Sequence, residues 1–333
     1  MEIRGVQSVE YNVAQYCFPS NNLSCLREMR TRSETVIMYI FFSALSGCTV
    51  FLNLLVIISI SHFKQLHTPT NLLILSMAVA DLLIGLIAMP VEGSQTIETC
   101  WYFGDTLCSI YPLICSVALS ASLCSLVLIS TDRFIAITDP LRYSVNVTLN
   151  KTNAVVVLGW SSCVVYYFFF LNDHLMQREP HRICHGHCLP TIKFPWIVCD
   201  IIVSFIVPCS TVIVLNLKIF CTAHHQAQAI SSVTEGANAA QENKMTKTSN
   251  RKAAKNIGTL VTVYLLCYMP YFISVFAYIH PSLVTGLIWI MYMNSCINPI
   301  IYALFYPWFK LSAKHIITLA IFHKDSSYLN VLK

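Results

Sequence analysis

The chain has 333 residues, of which 56% are hydrophobic and only 11% charged, and its formal net charge is +5. So few charges cannot clothe a water-facing surface of this size, which excludes a soluble enzyme or binding module and leaves an integral membrane protein. The small basic excess is what asymmetric Lys and Arg placement across a membrane produces, and it calls for no nucleic-acid partner.

Residues 1–34 are polar and lack the apolar core of a cleavable signal peptide, so the first apolar run is expected to act as its own signal anchor. This segment holds Cys17, Cys25 and the glycosylation sequon Asn22-Leu23-Ser24. An uncharged run follows at 36–61. Further apolar runs start near Asn71, Leu107, Asn153, Phe194 and Ile257, and a last one covers 283–307. Each meets the roughly 20 residues a helix needs to cross a bilayer. The expected fold class is therefore an all-α membrane protein, a seven-transmembrane helix bundle occupying residues 35–306. Between the fifth and sixth runs, residues 222–249 are rich in Ala, Gln, Ser and Thr and are read as a linker. After Tyr306, Pro307-Trp308-Phe309-Lys310 opens a mixed apolar and basic stretch, read within the 307–333 tail as a short amphipathic helix on the membrane surface.

Seven crossings put the termini on opposite sides. With the amino terminus extracellular, the cytoplasmic segments hold Lys64, Arg133, Arg142, Lys151, Lys218 and every basic residue from Lys244 to Lys333, two thirds of all Lys and Arg. The expected location is the plasma membrane, with the carboxy terminus in the cytoplasm. Six of the 15 cysteines, Cys17, Cys25, Cys100, Cys108, Cys184 and Cys188, then fall on the oxidising side, where disulfides form. Residue spacing alone does not choose their partners. His185 and His187 lie between two of these cysteines, but disulfide bonding is the preferred reading over zinc.

A charge at the centre of a membrane helix costs roughly 2.5–3.5 kcal/mol, so each such group is a functional candidate. Three carboxylates qualify from the apolar runs: Asp81 in the second, Asp132 at the end of the third and Asp200 in the fifth.

Short motifs in order along the runs resemble the rhodopsin-like G-protein-coupled receptors. They are Asn53, Met77-Ala78-Val79-Ala80-Asp81, Asp132-Arg133-Phe134, Trp160, Pro208, Cys267-Tyr268-Met269-Pro270 and Asn298-Pro299-Ile300-Ile301-Tyr302. Within that family, the string from Asn294 through Tyr302 to Tyr306-Pro307-Trp308-Phe309 looks like a trace amine-associated receptor. Cys100-Trp101-Tyr102-Phe103-Gly104 and Asp139-Pro140-Leu141-Arg142-Tyr143 agree. The resemblance implies a receptor for cationic amines that couples to a stimulatory or olfactory heterotrimeric G protein, raises cyclic AMP and serves olfaction. It also implies the disulfides Cys108–Cys188, Cys17–Cys184 and Cys25–Cys100. It further implies an allosteric sodium ion among Asp81, Ser122, Asn294, Ser295 and Asn298, and a G-protein switch formed by Asp132, Arg133 and Tyr302. A hydrogen-bonded water network without sodium is the alternative for the polar cluster.

The chain departs from the family at several positions. Cys115 stands where most aminergic receptors carry the third-helix aspartate, and a neutral thiol is no counter-ion. Asp200 is the residue expected to take that role; capping within the end of the bundle near Lys193 is the structural alternative. Tyr268, Tyr271 and Phe272 on the sixth helix, with Trp289 and Tyr292 on the seventh, match the pocket wall, and Ser204 lies one turn from Asp200. One charge-assisted hydrogen bond contributes about 1.5–3 kcal/mol, whereas micromolar binding needs about 8. Aromatic faces at roughly 0.5–2 kcal/mol each are expected to supply much of the rest. Tyr268 also replaces a usual tryptophan, Asn216 stands near a usual tyrosine, and Phe134 replaces a tyrosine. These departures bear on basal activity. An opsin is excluded by the lack of any lysine between Lys255 and Lys310. Neither repeats nor charge-lined broken helices suggest a transporter. The standing alternatives are a receptor for a non-amine small molecule and one active without ligand.

Overall fold

The computed structural model describes residues 15–21, 23–176, 184–188, 190, 192–232, 237–276, 281–323 and 326–332. The sequon residue Asn22 lies outside them. Among the described residues, seven helices are long and apolar enough to cross a bilayer: Arg32–His62, Pro69–Glu98, Gly104–Thr138, Leu149–Phe170, Phe194–Thr222, Lys255–Val275 and Leu283–Phe305. We term these the first to seventh spans. In hydrocarbon a helix satisfies its own backbone groups, which is why uncharged runs of this length adopt it. The burial pattern is the reverse of a soluble protein's. Phe41, Phe169, Leu217 and Leu304 are exposed, while Asn53, Asp81, Asn294 and Asn298 are buried. Apolar groups therefore face lipid and polar groups line the axis, and the chain is a multi-pass membrane protein.

Helix starts are set locally. Thr31 accepts a hydrogen bond from the Glu34 N–H while the Glu34 carboxylate accepts one from the Thr31 N–H, a reciprocal cap that starts the first span at Arg32. The Thr68 and Thr148 side chains cap the second and fourth spans, with Pro69 at the first turn of the second. Two spans are interrupted by a π-turn, the second at Ile84–Ala88 and the fifth at Ile201–Ile206. Each extra residue turns everything beyond it by about 100° relative to an uninterrupted α-helix. The stretch read as a linker is largely helical: the fifth helix continues through Ser232 and the sixth begins at Ala237. Its Ala, Gln and Lys content favours helix once a span has nucleated it.

One end of the bundle carries a small hairpin, Gln15–Tyr16 paired antiparallel with Leu26–Arg27. We call it the hairpin end and the other the tail end. Cys108–Cys188 is present as expected. The other two expected pairs are exchanged, because Cys17 bonds Cys100 and Cys25 bonds Cys184. The hairpin explains the exchange. Its backbone sets the Cys25 N–H on the carbonyl of His185, next to Cys184. Gly186, at φ +105°, lies against Cys17 and accepts from the N–H of Trp101, next to Cys100. A Cβ at Gly186 would come within 2.9 Å of the Cys17 Cβ, so glycine permits this approach.

At the tail end, Pro307–Ile317 forms the expected amphipathic helix, with Trp308 and Phe309 buried and Lys310 and Lys314 exposed. The last residues return to the bundle. Lys64 donates to the Tyr328 hydroxyl at 2.5 Å, the His62 ring lies 3.0 Å from Ser326 Oγ, and Val331 is buried.

Candidate ligand site and polar axis

Asp200 closes the last α-helical turn before the π-turn of the fifth span. Its Oδ1 accepts hydrogen bonds from the hydroxyls of Tyr166 (3.3 Å) and Tyr167 (3.2 Å) on the fourth span. Ser120 on the third span donates in turn to Tyr167 (2.9 Å). Ser204 donates its proton to the Asp200 main-chain carbonyl (2.5 Å), so it braces the turn that carries the acid. Asp200 is partly buried, and among the described residues no basic side chain is paired with it. A cavity of about 450 Å³ opens between the third, fourth and fifth spans beside Tyr166, Tyr167 and Ser204; neither Asp200 nor the sixth- and seventh-span aromatics line it.

The matched aromatics fall into two groups. Tyr271 and Tyr292 face the middle of the bundle. Tyr271 lies within electrostatic reach of Asp200, and Tyr292 within reach of Cys115. Phe272 and Trp289 are committed to packing. Phe272 stacks on Phe205 at 4.0 Å; Trp289 stacks on Phe42 at 3.9 Å and donates to Thr96 (3.4 Å), which turns it toward the first and second spans. Tyr268 is deeper and buried, stacked on Tyr264 at 4.0 Å, with no hydrogen-bond partner for its hydroxyl among the described residues and with Asp81 within electrostatic reach. It links the aromatic wall to the polar axis. Cys115 is buried in the third span, one turn from Tyr111.

Glu92 is absent from the candidates that the sequence supplies, because the second apolar run ends short of it. The second span continues to Glu98, so Glu92 is inside the helix and accepts from the Tyr111 hydroxyl (3.2 Å). The signal available was its separation of eleven residues from Asp81, about three helical turns.

The polar axis brings Ser122, Ser295 and Asn298 to Asp81, and Asn294, the fifth residue grouped from the sequence, is buried on the same span as Ser295 and Asn298. Asp81 Oδ1 accepts from Ser122 (3.0 Å) and Oδ2 from the Asn298 amide (2.8 Å). Ser295 stands beside the carboxylate, and its main-chain carbonyl accepts from Asn53 (3.0 Å). Among the described residues, Asn53 Oδ1, Asn298 Oδ1 and both Oδ1 and Nδ2 of Asn294 are buried without a hydrogen-bond partner. A carboxylate beside hydroxyl and amide oxygens is a donor set that would suit a hard monovalent cation, while the unpartnered Asn294 amide nitrogen suits the alternative of a hydrogen-bonded water network.

At the tail end Arg133 is folded onto Asp132, with Nε donating to Oδ2 at 2.8 Å. Two residues complete a clamp. Thr70 donates to Asp132 Oδ2 (2.8 Å), and Tyr143, from the short helix Pro140–Asn146, donates to Oδ1 (2.7 Å). Arg133 donates to both of their hydroxyls. Burial pushes the Tyr143 hydroxyl pKa up, which keeps it protonated. Tyr302 is fully buried and donates to Met77 Sδ (3.3 Å), and Asn216 donates to Ser130 (3.3 Å) on the third span.

Seven apolar helices around a buried polar axis, with an aromatic wall at one end and an arginine clamp at the other, define a seven-helix membrane receptor rather than an enzyme. The family model described as the 7 transmembrane receptor (rhodopsin family) matches residues 52–302. Trace amine-associated receptor 13c of Danio rerio is 37% identical over 339 residues, covering 98% of each chain. Trace amine-associated receptor 6 of Homo sapiens is 36% identical over 331 residues, 95% of each. Trace amine-associated receptor 1 of Mus musculus is 35% identical over 323 residues, 93% of this chain and 97% of its own length. The chain belongs to the trace amine-associated receptors of the rhodopsin family.

Proposed function

We propose that the chain is a plasma-membrane receptor that binds a protonated amine through Asp200 and signals through a heterotrimeric G protein. The observation that carries this reading is a partly buried carboxylate, held in place by two tyrosine hydroxyls, with no basic partner among the described residues. In a low-dielectric bundle such a charge attracts a cation, and Tyr271 lies within electrostatic reach of it. The hairpin end is extracellular: the disulfides require an oxidising compartment, and the basic residues concentrate at the other end.

Binding shifts an equilibrium only through its differential affinity for two states. In this reading the ligand moves Tyr271, Tyr268 transmits the movement to the Asp81 axis, and Arg133 leaves its clamp to meet the G protein. Sodium at Asp81 holds the resting state. The Gα partner is of the stimulatory or olfactory type, cyclic AMP is the output, and olfaction is the setting. Lys310 and Lys314 rest on anionic lipid headgroups.

Cyclic AMP dose–response curves for a panel of amines test the reading by comparing wild type with Asp200→Asn at matched surface expression. Loss of the charge-assisted contact is expected to lower potency roughly 10- to 100-fold. Unchanged potency would place the ammonium contact at a site other than Asp200, and no response of wild type to any amine would favour the non-amine receptor for which the thiol at Cys115 is the main argument.

A further inference from the structure

The cavity between the third, fourth and fifth spans opens on the outside of the bundle. Leu123, Val127 and Pro208 give it apolar walls, while Val203, Val207, Ser162 and Thr211, which also line it, are exposed or partly exposed where the helices face lipid. A ligand therefore enters it from the bilayer, and about 450 Å³ is room enough for a small organic molecule. Val203 and Ser204 belong to the π-turn Ile201–Ile206, a widened turn of the kind that recurs at functional sites.

Six hydroxyls line the cavity, and each has already given its proton to a partner within the protein. Tyr166 and Tyr167 donate to the Asp200 carboxylate, Ser120 to Tyr167, and Ser204 to the Asp200 carbonyl. Ser162 donates to the carbonyl of Leu158 (2.7 Å) and Thr211 to that of Val207 (2.8 Å). A hydroxyl whose proton is committed offers only its lone pairs. The cavity also holds the thiols of Cys124 and Cys163, which are weak hydrogen-bonding groups. Among the described residues no acid or base lines it, so a charged ligand meets no counter-charge at its wall. An ether or ester oxygen would set lone pairs against lone pairs. The complementary ligand is uncharged, largely apolar and a hydrogen-bond donor. We propose that this cavity is a second binding site, open to the membrane, for a neutral lipophilic alcohol whose hydroxyl donates to the Tyr166 and Ser204 oxygens. The site stands whether or not Asp200 binds an amine.

The test is photolabelling of the full chain in phosphatidylcholine nanodiscs with a diazirine-bearing dodecanol, and mapping of the labelled peptides by mass spectrometry. Dodecanol, dodecyl methyl ether and dodecane compete at equal mole fractions in the bilayer. Label is expected to concentrate on residues 120–127, 162–167 and 203–211. Dodecanol should displace it at a mole fraction about threefold to tenfold lower than the ether or the alkane requires, the value of a neutral hydrogen bond. Cys163→Phe, which fills the cavity, should remove label from these peptides. The double variant Tyr166→Phe with Ser204→Ala should keep the cavity but bring the alcohol down to the ether's level. Label spread evenly over the lipid-facing spans, or equal displacement by all three competitors, would show acyl-chain filling only and overturn the proposal. These wild-type outcomes decide it even where a variant fails to fold. An alcohol preference that survives in the double variant would overturn the assignment of the two oxygens.

Discussion

Asp81 and Asp200 are both bonded by neutral side chains, yet their surroundings differ in what is left unfilled. On the Asp81 axis, among the described residues, it is Asn298 Oδ1 and both side-chain polar atoms of Asn294 that lack partners. Around Asp200 the hydroxyls are already engaged and, among the described residues, the negative charge has no basic partner. The first pattern suits a small hard cation and the second an organic one. Asp81→Asn is therefore expected to abolish any difference in amine affinity between sodium and potassium buffers. In wild type, sodium should lower affinity by stabilising the resting state. Persistent sodium sensitivity in the variant would place the ion elsewhere. Residue identities were legible where a motif named them: the family resemblance grouped Asp81, Ser122, Asn294, Ser295 and Asn298, and Ser122, Ser295 and Asn298 meet Asp81. Side-chain direction was not legible. Phe272 and Trp289 match pocket positions in sequence but stack on Phe205 and Phe42, a choice made by neighbours on other helices.

At the scale of elements, apolar runs marked all seven spans because hydrocarbon requires length and neutrality, both readable from composition. The π-turns at Ile84–Ala88 and Ile201–Ile206 were not readable, since their residues are as apolar as those of an ordinary turn. They lie between Asp81 and Glu92 on the second span and between Asp200 and Pro208 on the fifth, so they reset the face on which each hairpin-end acid appears relative to the rest of its helix. Glu92 was missed for a related reason: one acid ended the apolar run that defined the span, although the helix continued past it. The short helix Pro140–Asn146 was part of a recognised motif, but its function as one jaw of the Arg133 clamp came only from tertiary contact. Its Tyr143 hydroxyl donates to Asp132 and accepts from Arg133, two bonds that hold the arginine in place. Tyr143→Phe removes both at a cost of about 1–3 kcal/mol. Ligand-free cyclic AMP is expected to rise several-fold at equal surface expression. An unchanged or lower basal level would show that the clamp does not restrain signalling.

Across the whole molecule, two disulfides tie the hairpin to its end of the bundle, a third joins the third span to Cys188, and a buried polar axis joins the aromatic wall to the arginine clamp. The bundle and its family could be inferred from sequence because the motifs are spread along nearly every span. The pairing of Cys17 and Cys25 could not, because both lie in one hairpin and only its docking on Gly186 and His185 assigns each to its partner. The function proposed for this assembly depends on Asp200 pairing with a protonated nitrogen, and binding reports on that pairing without any downstream protein. The direct measurement is thermal stabilisation of the purified receptor by a saturating amine and by its uncharged alcohol isostere, in wild type and in Asp200→Asn. The amine should raise the wild-type melting temperature, the alcohol should not, and the variant should respond to neither. Equal stabilisation of wild type and Asp200→Asn by the amine would contradict the assignment.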